Sequence, residues 1–489
     1  MRKLYSLLIL GVLALLTCAA SLLVFLPGAL FCSDSALHHF ALAGLSPPWE
    51  RRKEMRLLKR FCVLVLGLAT FLAMSSVVRA DAVTDWNKIA IQTVVNAGAS
   101  HGSAIGFLDS AVVQAAVYDA VVAYGGRFQP YHVQISGASG SPVAAIATAA
   151  YEVLVNRFPG QAPTLGPIYQ SYLTSNGLTT NDPGVAVGHQ AAAGIIALRA
   201  NDGSFPLNPP PFTGSNQIGV WRPTPSYLPG PPPTLSPALA PWLANVTPFT
   251  LTSPSQYRPG PPPPLDSNRY ATAFNEIKAF GARVNSSRSL DQTNLALFWN
   301  SNFLVLWNAA LRDIIAARVP DIQDSARLLA IASLAMADAG ITAWDTKFHY
   351  VFWRPVTAVQ EADNDGNPDT VGDPNWQPFI NTPNYPEYTS GANNVTGAVT
   401  RILALYFGTD EMMFSVTTTN AASPEQTRTY NRFSDAAADV VNVRVYQGIH
   451  FRFADVIARK QGRHVAQWAF AHFLRPLDDD DHDDGEDEE

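Results

Sequence analysis

The chain has 489 residues, 47% of them hydrophobic and 15% charged, which is enough apolar material for a large core or two fused bundles. The net charge of −7 is uneven: residues 478–489 (DDDDHDDGEDEE) hold ten of the 40 acidic residues, residues 1–80 are basic, and the body, 81–477, carries only −3. With no basic stripe in the body a nucleic-acid partner is excluded. With Cys18, Cys32 and Cys62 all before residue 81, disulfides, thiolate metal sites and a cysteine nucleophile are excluded there too.

Two apolar runs open the chain, 4–32 and 61–78. The second has the parts of a secretory signal. Met55 is followed by Arg56, Lys59 and Arg60, then FCVLVLGLATFLAM, and the run closes on Val78, Arg79 and Ala80. The expectation is cleavage after Ala80, with 55–80 a signal peptide and 1–54 an apolar extension upstream of the natural start. The mature protein is then periplasmic or secreted, and touches a membrane only through an uncleaved N-terminal segment. The competing reading is a membrane anchor at 4–32.

Along the body, apolar residues at spacings of three and four predict helices over 107–124, 141–157 and 183–200. Residues 202–264, with PLNPPPF, LPGPPPTLSP and YRPGPPPPLD, read as a long Pro-rich connection. Helices resume over 267–284, 289–299, 303–318 and 323–344. A loop covers 361–386, and helices near 390–407, 432–447 and 452–474 complete an all-α chain of helical bundles. Neither end of the Pro-rich stretch has a flexible Gly/Ser linker, so 81–477 is expected to form one unit. The acidic residues 478–489 read as a solvated tail. The loop from Asp363 to Asp369 alternates oxygen side chains like a calcium loop but lacks the closing Glu, and reads as a polar turn.

No GxSxG, GxGxxG, P-loop or HExxH is present. Three other segments carry chemistry. In Lys347-FHYVFW-Arg354-Pro355 the cations lie seven residues apart, two helical turns, and Pro355 is expected to end the helix at Arg354. In Tyr388-Thr389-Ser390-Gly391-Ala392-Asn393-Asn394 a helix opens on capping-type residues, offering free N–H groups and the positive end of its dipole. In Arg444-VYQGI-His450, Gly448 is expected to end the helix and turn His450 back toward Arg444. Three cations, a hydroxyl, a backbone amide and an imidazole suit a group with three equatorial oxygens and one apical position, which His450 would fill.

K-x6-RP, a PSGH-like segment and R-x5-H, in that order, resemble the pattern of the vanadium-dependent haloperoxidase and type-2 acid phosphatase superfamily. The stretch from Leu328 to Arg459, including ADAGITAWDTKFHYVFWRP and YPEYTSGANNVTGAV, is similar throughout, on the haloperoxidase side. The resemblance implies vanadate as cofactor, with phosphate as an alternative occupant. Lys347, Arg354, Arg444, Ser390 and the Gly391 amide would bind the equatorial oxygens. His450 would be the vanadium ligand, or the phosphorylated nucleophile of a phosphatase. Trp344 and Tyr385 would stand near the halide.

The sequence departs from that pattern in four places. Ala392 replaces the histidine that handles protons at the apical side, and alanine cannot do so. Thr389 replaces proline, and Val443 replaces serine. The carboxylate expected to orient His450 is displaced: Asp455 is five residues on, about 140° away on a helix, and a second position aligns with the neutral Asn302. His349, two positions from Lys347, points to another face. Three functions stay open: a peroxidase using hydrogen peroxide to oxidise a halide or small organic acceptor, a phosphatase acting through His450, and a non-catalytic oxyanion binder.

Overall fold

The computed structural model describes residues 82–225 and 235–477. The expected extension, signal peptide and acidic tail lie outside the described residues. Thirteen α-helices and one β-hairpin make up the described regular structure. The first group is α1 (Ala82–Asn96), α2 (Ser103–Val122), α3 (Pro142–Arg157), α4 (Ala162–Ser175) and α5 (Pro183–Arg199). After the Pro-rich stretch come α6 (Asn268–Phe280), α7 (Leu290–Phe298), α8 (Phe303–Arg318), α9 (Ile322–Tyr350), α10 (Pro355–Glu361) and α11 (Gly391–Phe407). Strands β1 (Glu411–Thr417) and β2 (Thr427–Arg432) follow, then α12 (Phe433–Tyr446) and α13 (Arg452–His472).

Local chemistry sets the helix starts. Ser141, Asp182, Ser267, Ser289, Asn302 and Asp321 each cap a helix through a side-chain oxygen, and Pro142, Pro183 and Pro355 stand at first helical positions. Helix α9, 29 residues long, is buried almost continuously from Ser325 to Lys347. It is the axis of the unit, packing against α2 on one side and α11 and α13 on the other. Helices α2 and α9 are long and apolar enough to cross a membrane, but protein covers nearly all of both. In the second bundle, glycines let α11 and α13 approach closely. A Cβ on Gly462 would fall 1.9 Å from the Asn394 carbonyl oxygen, and one on Gly397 would fall 2.4 Å from that of Arg459.

The described parts of the Pro-rich stretch are bound along α9. The buried Asp338 carboxylate accepts from Phe249 N (2.6 Å), Thr250 N (2.7 Å) and Leu251 N (3.2 Å), and from the Thr250 hydroxyl. Arg258 makes a bidentate pair with Asp345 at 2.7 and 2.6 Å. Strap-like pairing of Val220 with Phe352 and of Trp221 N with Val351 O closes the C-terminal end of α9.

Three features differ from the sequence reading. Helices α1, α4 and the short α10 were not anticipated; α4 contains Pro163, Gly166 and Pro167, which hide its helical period. The hairpin was also missed, although Phe414 and Val416 of β1 and Tyr430 of β2 point inward on alternate positions. Finally, α9 ends at Tyr350, not Arg354, because Val351 takes a left-handed conformation (φ 48°).

Candidate functional site: a buried cationic cluster

Four elements converge on the pocket. The last turn of α9 brings Lys347. The left-handed Val351 reverses the chain so that Arg354, in extended conformation, precedes Pro355 as the N-cap of α10. Lys347 and Arg354 therefore meet across a chain reversal, not along one continuous helix. Ser390 is the N-cap of α11, and its hydroxyl makes no capping bond, so the first amides of α11 are left to another acceptor. Arg444 sits in the last turn of α12. Gly448 (φ 77°) ends that helix, with Ile449 N returning to Arg444 O at 3.3 Å, and His450 follows.

Lys347, Arg354, Ser390 and His450 are each at most 1% exposed, and Arg444 is 8% exposed. The Lys347 ammonium donates to the carbonyls of Pro386 (2.8 Å) and Glu387 (3.0 Å). Arg354 donates from Nε to Tyr385 O (2.8 Å) and from Nη1 to Ile449 O (2.8 Å), and Nη1 lies 3.2 Å from His450 Nε2. Arg444 Nη1 donates to Gln447 Oε1 at 2.7 Å, and Gln447 is in turn tied to Ala296 O. Arg354 Nη2 and Arg444 Nε, both buried, have no protein acceptor. Trp344 and Tyr385 form a tilted aromatic pair 4.8 Å apart, with the Lys347 ammonium 5.9 and 5.0 Å from their rings. A Cβ on Gly391 would sit 3.3 Å from the Trp344 ring, so the glycine keeps the mouth of α11 open.

The expected partners of His450 are corrected. Asp455 does not reach the imidazole. Its Oδ1 accepts from Asn393 Nδ2 (2.8 Å), placing it beside Ser390 under the start of α11. The Asn302 side chain instead caps α8, accepting from Leu304 N (3.1 Å). The carboxylate on His450 is instead Glu387, whose Oε1 lies 3.2 Å from Nδ1 and accepts from Phe451 N at 2.9 Å. The sequence reading did not single out Glu387, the lone acid in YPEY just before the Ser-Gly pair. His349 is exposed, packed edge-on to Tyr350. In the 363–369 loop, the Asp365 carboxylate takes Asn367 N and the Thr370 hydroxyl, forming a polar turn.

Burial dominates the electrostatics. It pushes Lys347 well below the ordinary lysine range, helped by the neighbouring Arg354 and opposed by Glu387. It lowers Arg354 to about 10 and also lowers Arg444. His450 falls well below the ordinary histidine range through burial and then through Arg354, Lys347 and Arg444. The two carboxyls move the other way: burial raises Glu387 to about 7, and holds Asp455 well above its usual range. Burial thus disfavours the charged form of each of these side chains, and the cluster holds more cationic groups than carboxylates. Buried charge of this kind is stable when paired and hydrogen-bonded. A tetrahedral oxyanion fits the orphaned guanidinium N–H groups, the Lys347 ammonium and the start of α11.

A family model described as the VCPO second helical-bundle domain matches residues 327–479, the stretch from α9 through α13. This stretch is similar to the second helical-bundle domain of vanadium chloroperoxidases. The vanadium chloroperoxidase of Curvularia inaequalis is 39% identical over 94 residues, which are 17% of this chain and span 15% of that protein. The fold likeness reaches much further. A bacterial vanadium-dependent iodoperoxidase superposes with TM-score 0.67 at 23% identity, covering 81% of this chain and 98% of that one. A bacterial vanadium-dependent chloroperoxidase in its apo form gives 0.61 at 20% identity, over 75% and 92%. The likeness of fold therefore covers the N-terminal bundle as well.

Proposed function

We propose that this protein binds vanadate and acts as a haloperoxidase-like oxidoreductase, using hydrogen peroxide to oxidise a halide or small organic acceptor, with turnover weakened by Ala392. The observation that carries the reading is the pair of buried, acceptor-less N–H groups, Arg354 Nη2 and Arg444 Nε, on two arginines whose charges, with that of Lys347, bear on His450.

In this reading Lys347, Arg354, Arg444, Ser390 and the Gly391 amide would hold the vanadate oxygens, and His450 Nε2 would bind the vanadium. Bound vanadate supplies a Lewis-acid centre that makes peroxide oxygen electrophilic. The residues do the rest. The arginines and Lys347 neutralise oxyanion charge in a pocket closed to bulk water, where their field is strongest. The depressed basicity of His450 keeps its Nε2 unprotonated and available as a donor to the metal. Trp344 and Tyr385 give the acceptor an apolar wall beside the cations. The mature protein is exported by residues 55–80, and N-terminal sequencing is expected to find Asp81 as its first residue.

Ala392 favours a second reading, an oxyanion binder without turnover, because the second residue of α11 offers no proton donor. One preparation separates the alternatives. With vanadate loaded, bromide oxidation by peroxide is expected at a measurable rate, below that of full-site enzymes, and p-nitrophenyl phosphate hydrolysis is expected to be negligible. Phosphate-ester hydrolysis without bromide oxidation would sink the peroxidase in favour of a phosphatase acting through His450. Tight vanadate binding with neither activity would leave the binder.

A further inference from the structure

We propose that Glu387 is the positioning residue for His450, fixing the proton on Nδ1 so that the Nε2 lone pair faces the cations. The proposal rests on the reading of the pocket as a vanadate site. A guanidinium can only donate hydrogen bonds, and Arg354 Nη1 stands 3.2 Å from Nε2, so Nε2 must be the acceptor. The proton of the neutral ring is then on Nδ1, and the group facing Nδ1 at 3.2 Å is Glu387 Oε1. The opposite tautomer would set Nε2–H against the Arg354 donor and leave Nδ1 facing the carboxyl oxygen lone pairs.

Glu387 is itself held on two sides. Its Oε1 accepts from Phe451 N at 2.9 Å, which ties it to the backbone one residue past His450. Its own carbonyl accepts from the Lys347 ammonium at 3.0 Å. It is fully buried, so water does not compete for the Nδ1 proton. One residue therefore sets the orientation of the imidazole, the backbone after it and the ammonium beside it. Outer partners of this kind orient a metal-binding histidine, and their loss typically weakens metal affinity about 10–100-fold.

The test is nitrogen NMR of histidine-labelled full chain, with the His450→Ala spectrum assigning the resonance, alongside equilibrium titration with vanadate. Wild type is expected to show His450 neutral with the proton on Nδ1. Glu387→Leu, which removes the acceptor, should lose that single tautomer and bind vanadate about 10–100-fold more weakly. Glu387→Gln retains a side-chain oxygen, and should keep the tautomer and most of the affinity. If Glu387→Leu does not fold, the wild type and Glu387→Gln spectra decide. A proton on Nε2 in wild type, or an unchanged tautomer and affinity in Glu387→Leu, overturns the assignment. A wild type with the Nδ1 proton but no vanadate binding supports Glu387 and removes the vanadate reading instead.

Discussion

Ala392 is the residue at which the chain departs furthest from the haloperoxidase pattern it resembles. It is the second residue of α11, half-buried at the mouth of the pocket next to Gly391. A positioned acid–base group typically contributes about 10²–10⁴-fold. Ala392→His is therefore expected to raise kcat for bromide oxidation about 100-fold in vanadate-loaded protein, and an unchanged rate would show that protons reach peroxide by another route. A second residue-scale prediction concerns pH. Burial raises Glu387 to about 7 from its ordinary 4.5, so the folded state holds its proton more tightly than the unfolded one. Its contribution to stability is present below about 4.5 and is lost as pH rises through about 7. Urea unfolding of Glu387→Gln between these limits should show a weaker fall in stability with pH than wild type, and parallel curves would contradict the buried titration. Much of this pocket was legible in the sequence, because Lys347, Arg354, Ser390, Arg444 and His450 are functional types at diagnostic spacings. Glu387 was not, because the partner of an imidazole depends on which loop folds beneath it. Counting along a helix singled out Asp455, which the fold turns toward Asn393.

At the scale of elements, the site depends on how helices end and how closely they pack. Gly448 has φ 77°, and a Cβ there would fall 2.4 Å from the Gly281 carbonyl oxygen and 2.9 Å from Pro378. Gly448→Ala is expected to destabilise the fold by about 2 kcal/mol or more and to weaken vanadate binding by displacing His450. Chemical denaturation with a parallel vanadate titration checks both, and a silent substitution would mean that this turn does not set the position of His450. Asp338 plays a similar part for the Pro-rich stretch. Asp338→Ala leaves three backbone donors without their acceptor and should cost about 3 kcal/mol, read by the same denaturation. The expected helices matched where an apolar stripe was read, but α1 was missed although Val83, Trp86, Ala90, Ile91 and Val94 form one. Helix α4 escaped because Pro and Gly interrupt it, and the end of α9 because a valine in the left-handed region is imposed from outside. There Trp221 N pairs with Val351 O at 2.7 Å, a contact from a segment 130 positions earlier.

For the whole molecule, α9 joins an N-terminal bundle to a site-bearing bundle, and the described Pro-rich segments strap along it. The same helix that forms the axis of the core ends in Lys347, so stability and site geometry share one element. If the proposed oxyanion binds, it should stabilise the fold: at about 100 times Kd, a ligand specific to the folded state adds about 2.7 kcal/mol. The central claim is that Lys347, Arg354, Ser390, Arg444 and His450 form a single oxyanion site. Its most direct test is an equilibrium vanadate titration of wild type against Arg354→Ala and His450→Ala, with phosphate as competitor. The account predicts one saturable site, competition by phosphate, a rise in Tm on binding, and affinity at least tenfold weaker in each variant. Absence of saturable binding in wild type, or equal affinity in all three proteins, would contradict it.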